Sequence, residues 1–351
     1  MKKLSLMFVL FLALLTGLAG WGYQQLQRPL QLPETQIYLV APGSSFIRVL
    51  NELEQRGWID SALPVRLWLR LTGEEARIRP GEYQVTPQTR ILDLLDQMQR
   101  GEVVTYRVTL LEGWTFRQIR AALYQAEKLT PETQDWSEAE IMAALGTPDM
   151  PAEGWFFPDT YTYAKGMSDL DLLRQSHQRM KSLLEEVWES RQVGLPLQTA
   201  YEALILASII ERETGAPHER RDIAGVFTRR LQQGMRLQTD PTVIYGMGEA
   251  YQGRITRRDL REPTPWNTYV IRGLPPTPIA SPGAAALRAS VDPADGETLF
   301  FVARGDGTHH FSVTLQEHNQ AVRRYQLNRS ADYRSWPAPT PSPSEESDDA
   351  R

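Results

Sequence analysis

The chain has no cysteine among its 351 residues. A thiol nucleophile, a disulfide framework and a cysteine-based zinc site are therefore excluded. Positive charge is also scarce, with 38 Lys and Arg against 43 Asp and Glu and a formal charge of −5. That leaves no basic footprint, so nucleic acid is not an expected partner. Histidine is limited to five residues, His177, His218, His309, His310 and His318. The last three cluster in sequence, but no HExxH or comparable ligand spacing occurs. No metal and no other cofactor is expected. Nucleophile-elbow, P-loop and dinucleotide signatures are missing as well.

What is present begins at the N-terminus. Lys2 and Lys3 precede "LSLMFVLFLALLTGLAGWGY", which carries no charge from Leu4 to Tyr23. The run approaches the roughly 20 residues that span a bilayer. Trp21 and Tyr23 fall where an interfacial aromatic belt would lie. A cleaved signal peptide competes with an uncleaved anchor, but the small-residue cleavage site in "GLAG" is weak and lipoprotein processing needs a Cys. The expectation is an anchor with the lysines inside and everything after Gln24 outside. At the other end "PAPTPSPSEESDDAR" (337–351) is rich in Pro, Ser and acid and cannot bury a core, which predicts a disordered tail.

The length allows two or three domains, and a hydrophobic share of 41% is enough for real cores. A weak repeat runs through the first third. Residues 37–57, 83–101 and 106–126 each read as a short strand, a Pro/Gly turn with Ser or Thr, and an amphipathic helix. In the second copy Ile91, Leu94, Leu95 and Met98 follow helical spacing, with Thr89 as candidate N-cap. Ser44 or Ser45 takes that role in the first copy. Such units suit a small α+β module that binds something along its turns, although the same turn and cap residues are common everywhere. Residues 127–150 look polar and irregular. Helices are expected over 169–190, through "AYEALILASIIERETG", over 218–233 and over 314–327. Short strands are expected in the Pro/Gly-rich stretches around 235–248, 272–289 and 298–313. Loops so dense in Pro, Gly, Asn and Tyr often line a cleft.

The stretch "ASIIERETG" (207–215) runs two glutamates into a segment that otherwise reads as core. Apolar residues from Leu204 to Ile210 cover nearly every direction of the helix, so it is buried on most sides. Gly215 fits a helix stop, which puts Glu211 and Glu213 in the last turn. The helix dipole disfavours negative charge there, and an apolar setting raises a carboxyl pKa. Both effects favour the protonated form that a general acid requires. The competing reading pairs the glutamates with Arg212, Arg220 or Arg221 at the surface. Other carboxylates that draw notice are Glu153, Asp159, Asp240 and Asp259, with Asp240 in the turn-like "QTDPT". Tyr161, Tyr163, Tyr245, Trp266 and Tyr269 offer aromatic faces for sugar rings or, equally, for a core.

The segments 207–248 ("ASIIERETGAPHERRDIAGVFTRRLQQGMRLQTDPTVIYGMG"), 273–289 ("GLPPTPIASPGAAALRA") and 153–163 ("EGWFFPDTYTY") closely resemble the endolytic murein transglycosylases, the YceG-like family of the bacterial inner membrane. The resemblance extends to about Leu327 and leaves out the acidic tail. It implies an α+β protein with a transmembrane anchor at 1–23 and a linker at 24–35. A LysM-like module at 36–104 and a YceG-like catalytic domain at 105–330 follow, with a connecting segment near 127–150. A tail at 331–351 completes the chain. It also implies cleavage of the β-1,4 bond between N-acetylmuramic acid and N-acetylglucosamine inside peptidoglycan glycan strands. One carboxyl protonates the glycosidic oxygen and then helps the C6 hydroxyl of the muramic residue attack C1, leaving a 1,6-anhydro end.

The family's catalytic glutamate matches Glu213, and Glu213-Thr214 resembles the Glu-Ser pair of other lytic transglycosylases. Thr214 is then expected to bind substrate or position the carboxyl, with Glu211 in a supporting role. Gln238, Asp240, Tyr245, Asn267 and Tyr269 are expected near the carboxyl, and Glu153 is a further candidate. The implied partners are glycan strands, the inner membrane and, on the synthesis side, penicillin-binding proteins. An intramolecular nucleophile removes the need for the second carboxylate of ordinary glycosidases, which sits about 5 to 5.5 Å away in retaining enzymes. Two rivals stay open: a hydrolase using Asp240 or Glu153 as second carboxylate, and a non-catalytic peptidoglycan-binding scaffold.

Overall fold

The computed structural model describes residues 2–73 and 77–327, so the acidic tail expected at 331–351 lies outside the described residues. The chain divides into two compact units. The first holds the residues up to Arg107 together with 127–130 and 162–167, and the second holds 108–126, 131–161 and the chain from Ser168 on.

The first unit opens with helix α1 (Lys2–Gln27). Its segment Leu6–Gln27 is long and apolar enough to cross a membrane, and Trp21 and Tyr23 are exposed on it. After α1 come β1 (Gln36–Val40), α2 (Phe46–Gln55), α3 (Leu63–Thr72), β2 (Gly81–Val85) and α4 (Ile91–Arg100). β1 and β2 pair antiparallel, with Tyr38 opposite Tyr83. Both tyrosines point inward, and the apolar stripes of α2 (Phe46, Val49, Leu50, Leu53) and α4 (Ile91, Leu94, Leu95, Met98) close over them. Ser45 caps α2 by accepting from Arg48 N–H. In α4 the N-cap is Arg90 rather than the expected Thr89. The Thr89 hydroxyl is taken by the preceding turn, where it accepts from Thr86 N–H at 3.0 Å, while Asp93 accepts from Arg90 N–H at 3.2 Å. β3 (Thr105–Thr109) and β4 (Thr160–Ala164) form a second two-stranded sheet, both strands being divided between the units.

The second unit is mostly helical. It contains α5 (Phe116–Gln125), α6 (Glu138–Ala144), α7 (Asp169–Glu189), α8 (Ala200–Glu213), α9 (Arg220–Gln232), α10 (Asp240–Met247), α11 (Ala284–Val291) and α12 (Leu315–Val322). A hairpin of β5 (Phe300–Ala303) and β6 (His309–Ser312) is its separate sheet. The chain is thus mixed α+β, with small sheets and twelve α-helices among the described residues.

α8 is the central element. Thr199 caps its start by accepting from Glu202 N–H, and the helix packs against α7, α9, α10 and α11. Every residue from Ala203 to Glu211 is buried, as the all-round apolar pattern predicts. The one hydroxyl inside that run, Ser208, donates to Ile205 C=O at 2.7 Å and accepts from Ile279 N–H at 3.0 Å. α8 ends where Gly215 is expected to stop it, with both glutamates in its last turn, although Gly215 itself takes no positive φ. Thr214 is the C-cap, in an extended conformation at φ −139° and ψ 136°.

Three further expectations fail in the second unit. Residues 235–248 and 272–289 contain helices α10 and α11 rather than strands, and the segment read as irregular contains α6. Pro241 at the first turn of α10 and Gly283 as N-cap of α11 start these helices. Both residues read equally well as loop punctuation in sequence. Ser137 and Glu140 form a capping box on α6, whose single turn pair is too short to show a period.

Candidate active site

Glu213 is the last residue of α8, so its side chain leaves the helix where the C-terminal carbonyls concentrate negative charge. It opens into a cleft of about 700 Å³ within the second unit. The cleft is walled by Arg212 and Glu213 of α8, Arg230 of α9 and the segment Leu237–Pro241. Tyr269, the β5 strand, His309 and residues of α12 complete it. The carboxyl faces this space yet has protein crowded around it, and desolvation dominates its titration, pushing its pKa up to about 7. A hydrogen bond from the Thr239 hydroxyl opposes that rise, the charge of Asp240 adds to it, and Arg230 opposes it. Glu213 is therefore an acid that holds its proton up to neutral pH.

Thr239 is the N-cap residue of α10, but its hydroxyl caps nothing and instead donates to Glu213 Oε1. A knot of buried threonines holds it there. Thr239 N–H donates to Thr268 Oγ1 at 3.0 Å, and Thr242 Oγ1 donates to Thr239 C=O at 2.8 Å. The preceding residue, Gln238, takes a left-handed conformation at φ 53°, one of two such non-glycine residues among those described. This uncommon geometry costs on the order of 1 kcal/mol or more. It lets Gln238 line the cleft while Thr239 faces Glu213.

Of the residues expected near the carboxyl, Gln238, Asp240 and Tyr269 share the cleft with Glu213. Tyr269 donates to Asp240 Oδ1 at 2.6 Å, and burial with that carboxylate raises the phenol's pKa. Asn267 is not on the cleft wall. It is buried, donates to Asp259 C=O at 3.0 Å and Glu262 C=O at 2.7 Å, and accepts from Tyr269 N–H at 3.0 Å. It fixes the loop that carries Tyr269.

The buried Glu153 and the half-buried Tyr245 form a separate group. Glu153 accepts from Tyr245 OH at 3.2 Å and from Phe116 N–H at 3.0 Å, and burial pushes its pKa up to about 7. Neither lines the cleft of Glu213. Tyr245 packs edge-on against Trp266 at 5.6 Å. Tyr161 and Tyr163 are buried, donating to Phe157 C=O and Glu127 C=O. Tyr269 is thus the sole member of the expected aromatic set in the cleft wall.

Glu211 resolves differently from its neighbour. Its carboxylate meets Arg220 at 3.0 Å and accepts from Gly283 N–H at 2.9 Å, so it ties α8 to α9 and α11. The expected arginine pairing exists, but in the interior rather than at the surface. Thr214, expected to serve the carboxyl or substrate, accepts from Ala216 N–H at 2.9 Å and donates to Glu219 at 3.4 Å. The hydroxyl beside Glu213 belongs to Thr239.

Sequence reasoning missed Thr239, Arg230 and His309. Thr239 stood beside the noted Asp240, and an unused N-cap hydroxyl cannot be recognised without the fold. Arg230 donates to Leu299 C=O at 2.7 Å and Leu237 C=O at 2.8 Å, and it lies over the Phe300 ring at 5.1 Å. Nothing in the pair Arg229-Arg230 distinguishes the buried member in advance.

The family model described as the YceG-like family matches residues 38–324. A Bacillus subtilis protein named endolytic murein transglycosylase is 27% identical over 315 residues, covering 82% of this chain and 83% of that protein. A Streptococcus pneumoniae protein of the same name is 26% identical over 363 residues, covering 92% of this chain. The match spans 65% of the pneumococcal protein's length. A crystal structure of a YceG-like protein from Listeria monocytogenes is 28% identical with a TM-score of 0.51, covering 82% of this chain and 99% of that one. With the family pattern running through 287 residues, from the first strand to the last helix, this chain belongs to the YceG-like family.

Proposed function

We propose that this protein is an endolytic murein transglycosylase that cuts the β-1,4 bond after N-acetylmuramic acid inside peptidoglycan strands. The observation that carries the reading is Glu213, an acid raised to about 7 at the wall of a 700 Å³ cleft. A carboxyl with this pKa delivers a proton to a leaving glycosidic oxygen at neutral pH and is a competent base afterwards. Glu213 protonates the oxygen as the C1–O bond breaks. The resulting carboxylate takes the proton of the muramic C6 hydroxyl as that oxygen bonds to C1, which closes the 1,6-anhydro ring and restores the acid. Arg230 balances the transient carboxylate, and Asp240 with its bound Tyr269 faces the positive charge that develops at C1. Gln238 offers an amide to the sugar substituents.

In the same reading α1 anchors the chain in the inner membrane with its N-terminus in the cytoplasm and both units outside. The LysM-like module at 36–104 holds glycan while the catalytic domain at 105–330 cuts it, beside penicillin-binding synthases. Mass spectrometry of sacculus digests tests the chemistry, because anhydro ends lack one water relative to hydrolysed ends. Glu213→Gln is expected to lose roughly 10²–10⁴ in rate while staying folded. A folded, fully active Glu213→Gln enzyme refutes the assignment. Asp240 in the same cleft supports a second reading as a hydrolase, which reducing ends in place of anhydro ends would establish.

A further inference from the structure

On the wall of the same cleft lies a side chain that the proposed mechanism leaves unused. His309 opens strand β6 and lines the cleft, although the residue is only 7% exposed. Its ring is gripped on one edge. Nδ1 lies 2.8 Å from Glu219 Oε2, and the backbone N–H of the same residue donates to Glu219 Oε1 at 2.7 Å. The Thr214 hydroxyl also donates to Glu219 Oε2, at 3.4 Å. Glu219 is itself buried, at 4% exposure. With three donors converging on one carboxylate, Glu219 acts as acceptor and Nδ1 carries the proton. In the Nδ1–H tautomer the lone pair lies on Nε2, and no hydrogen bond from a protein group among the described residues reaches that nitrogen. Phe301 holds the plane of the imidazole edge-to-face at 5.4 Å.

A buried carboxylate that fixes the tautomer and plane of an imidazole at a cavity wall is the arrangement by which proteins aim one ring nitrogen at a ligand. The anchor also reaches the acid. Thr214 follows Glu213 directly in the chain, so one carboxylate holds both the residue that ends α8 and the histidine. We propose that His309, oriented by Glu219, is a second substrate-binding group of this cleft, its Nε2 accepting a hydrogen bond from a hydroxyl of the glycan. This rests on the reading of the Glu213 cleft as a glycan site. Glu219 is a positioning residue that touches no substrate.

The test uses the full chain in detergent carrying Glu213→Gln, so that strands bind uncut, with ¹⁵N-labelled histidines. The probe is uncrosslinked glycan strands stripped of stem peptides. Before addition, His309 should show the Nδ1–H tautomer, and addition should move its Nε2 resonance. In the same background His309→Asn keeps the contact with Glu219 but cannot reach the ligand. Affinity should fall roughly 3- to 10-fold, the worth of one neutral hydrogen bond. His309→Gln, whose amide reaches the Nε2 position, should recover part of that loss. Glu219→Gln brings an N–H to Nδ1 and should invert the tautomer and weaken binding with His309 intact. Strands that bind with Nε2 unmoved and His309→Asn at full affinity would overturn the role of His309 while leaving the cleft reading in place. Failure of any strand to bind the Glu213→Gln chain would overturn the cleft reading and this inference with it.

Discussion

The neighbours of Glu213 push its proton affinity in opposite directions, and two isosteric substitutions separate them. Thr239→Val removes the hydroxyl that donates to Glu213 Oε1 and keeps the side-chain shape. A hydrogen bond to a charged group is worth about 1.5–3 kcal/mol, and 1.36 kcal/mol corresponds to one pKa unit. The threonine can also bond the protonated acid, so the difference between the two forms is smaller than the whole bond, and roughly one unit is expected. Removing this opposing influence raises the pKa above about 7. Asp240→Asn removes a negative charge that favours the proton on Glu213, and its amide oxygen still accepts from Tyr269 OH. Its shift is downward and smaller, since Thr239 weighs more on the carboxyl than Asp240 does. An enzyme that needs protonated Glu213 loses kcat/KM as pH rises through that pKa. The alkaline limb should therefore move to higher pH in Thr239→Val and to lower pH in Asp240→Asn. The assay is release of anhydro ends from glycan strands between pH 5 and 9, with a melting curve for each variant. Limbs that move together, or a Thr239→Val limb that moves acidward, refute the electrostatic account of the site.

Burial of Glu213 should also be visible in stability. A pKa raised from the ordinary carboxyl range to about 7 gives stability that is full below the unfolded value and is lost as pH rises to the folded one. Glu213→Gln should thus match wild type near pH 4 and exceed it at pH 8 by on the order of 2 kcal/mol, discounted for the open cleft, as urea melts at the two pH values will read. Gln238→Gly removes the left-handed strain at φ 53° and the amide together. Its melting temperature should hold or rise while KM for glycan strands increases. Glu211→Gln leaves the Arg220 guanidinium inside the fold without its nearest carboxylate. About 3 kcal/mol of stability should be lost in denaturant titration, with the pH profile of the residual activity unchanged.

The features legible in the sequence are those set by local period and composition. The charge-free run from Leu4 needs no partner to declare itself, and it is the helix Lys2–Gln27. The apolar stripe of Ile91, Leu94, Leu95 and Met98 faces the first core because helical spacing alone puts those residues on one side. The same holds for α8, whose unbroken apolar surface announces burial before any neighbour is known. Placement of two glutamates at its C-terminal end was also local information, and it predicted an environment hostile to negative charge.

What divides those glutamates is tertiary. Both have apolar neighbours along α8, yet Arg220 and Gly283 N–H neutralise Glu211, while Glu213 faces a cleft assembled from α9, α10, the hairpin and α12. Thr214 was the natural companion by adjacency. The chain turns its hydroxyl to Glu219 and brings Thr239, 26 residues on, to Glu213. Tyr245 and Asn267 read like Tyr269 in sequence and occupy different places, because burial depends on which faces α10 and the 259–269 loop present to the rest of the unit. Proline and glycine at the starts of α10 and α11 mislead for a related reason: they mark a change of backbone direction, and only long-range packing decides whether a helix follows. The sequence by itself determined where a long apolar N-terminal helix, a core helix and a pair of carboxyls in a setting hostile to charge would be. Only the tertiary structure gives the two carboxyls different surroundings, one paired in the interior and one facing a cleft, since pKa and access depend on distances between residues far apart in the chain.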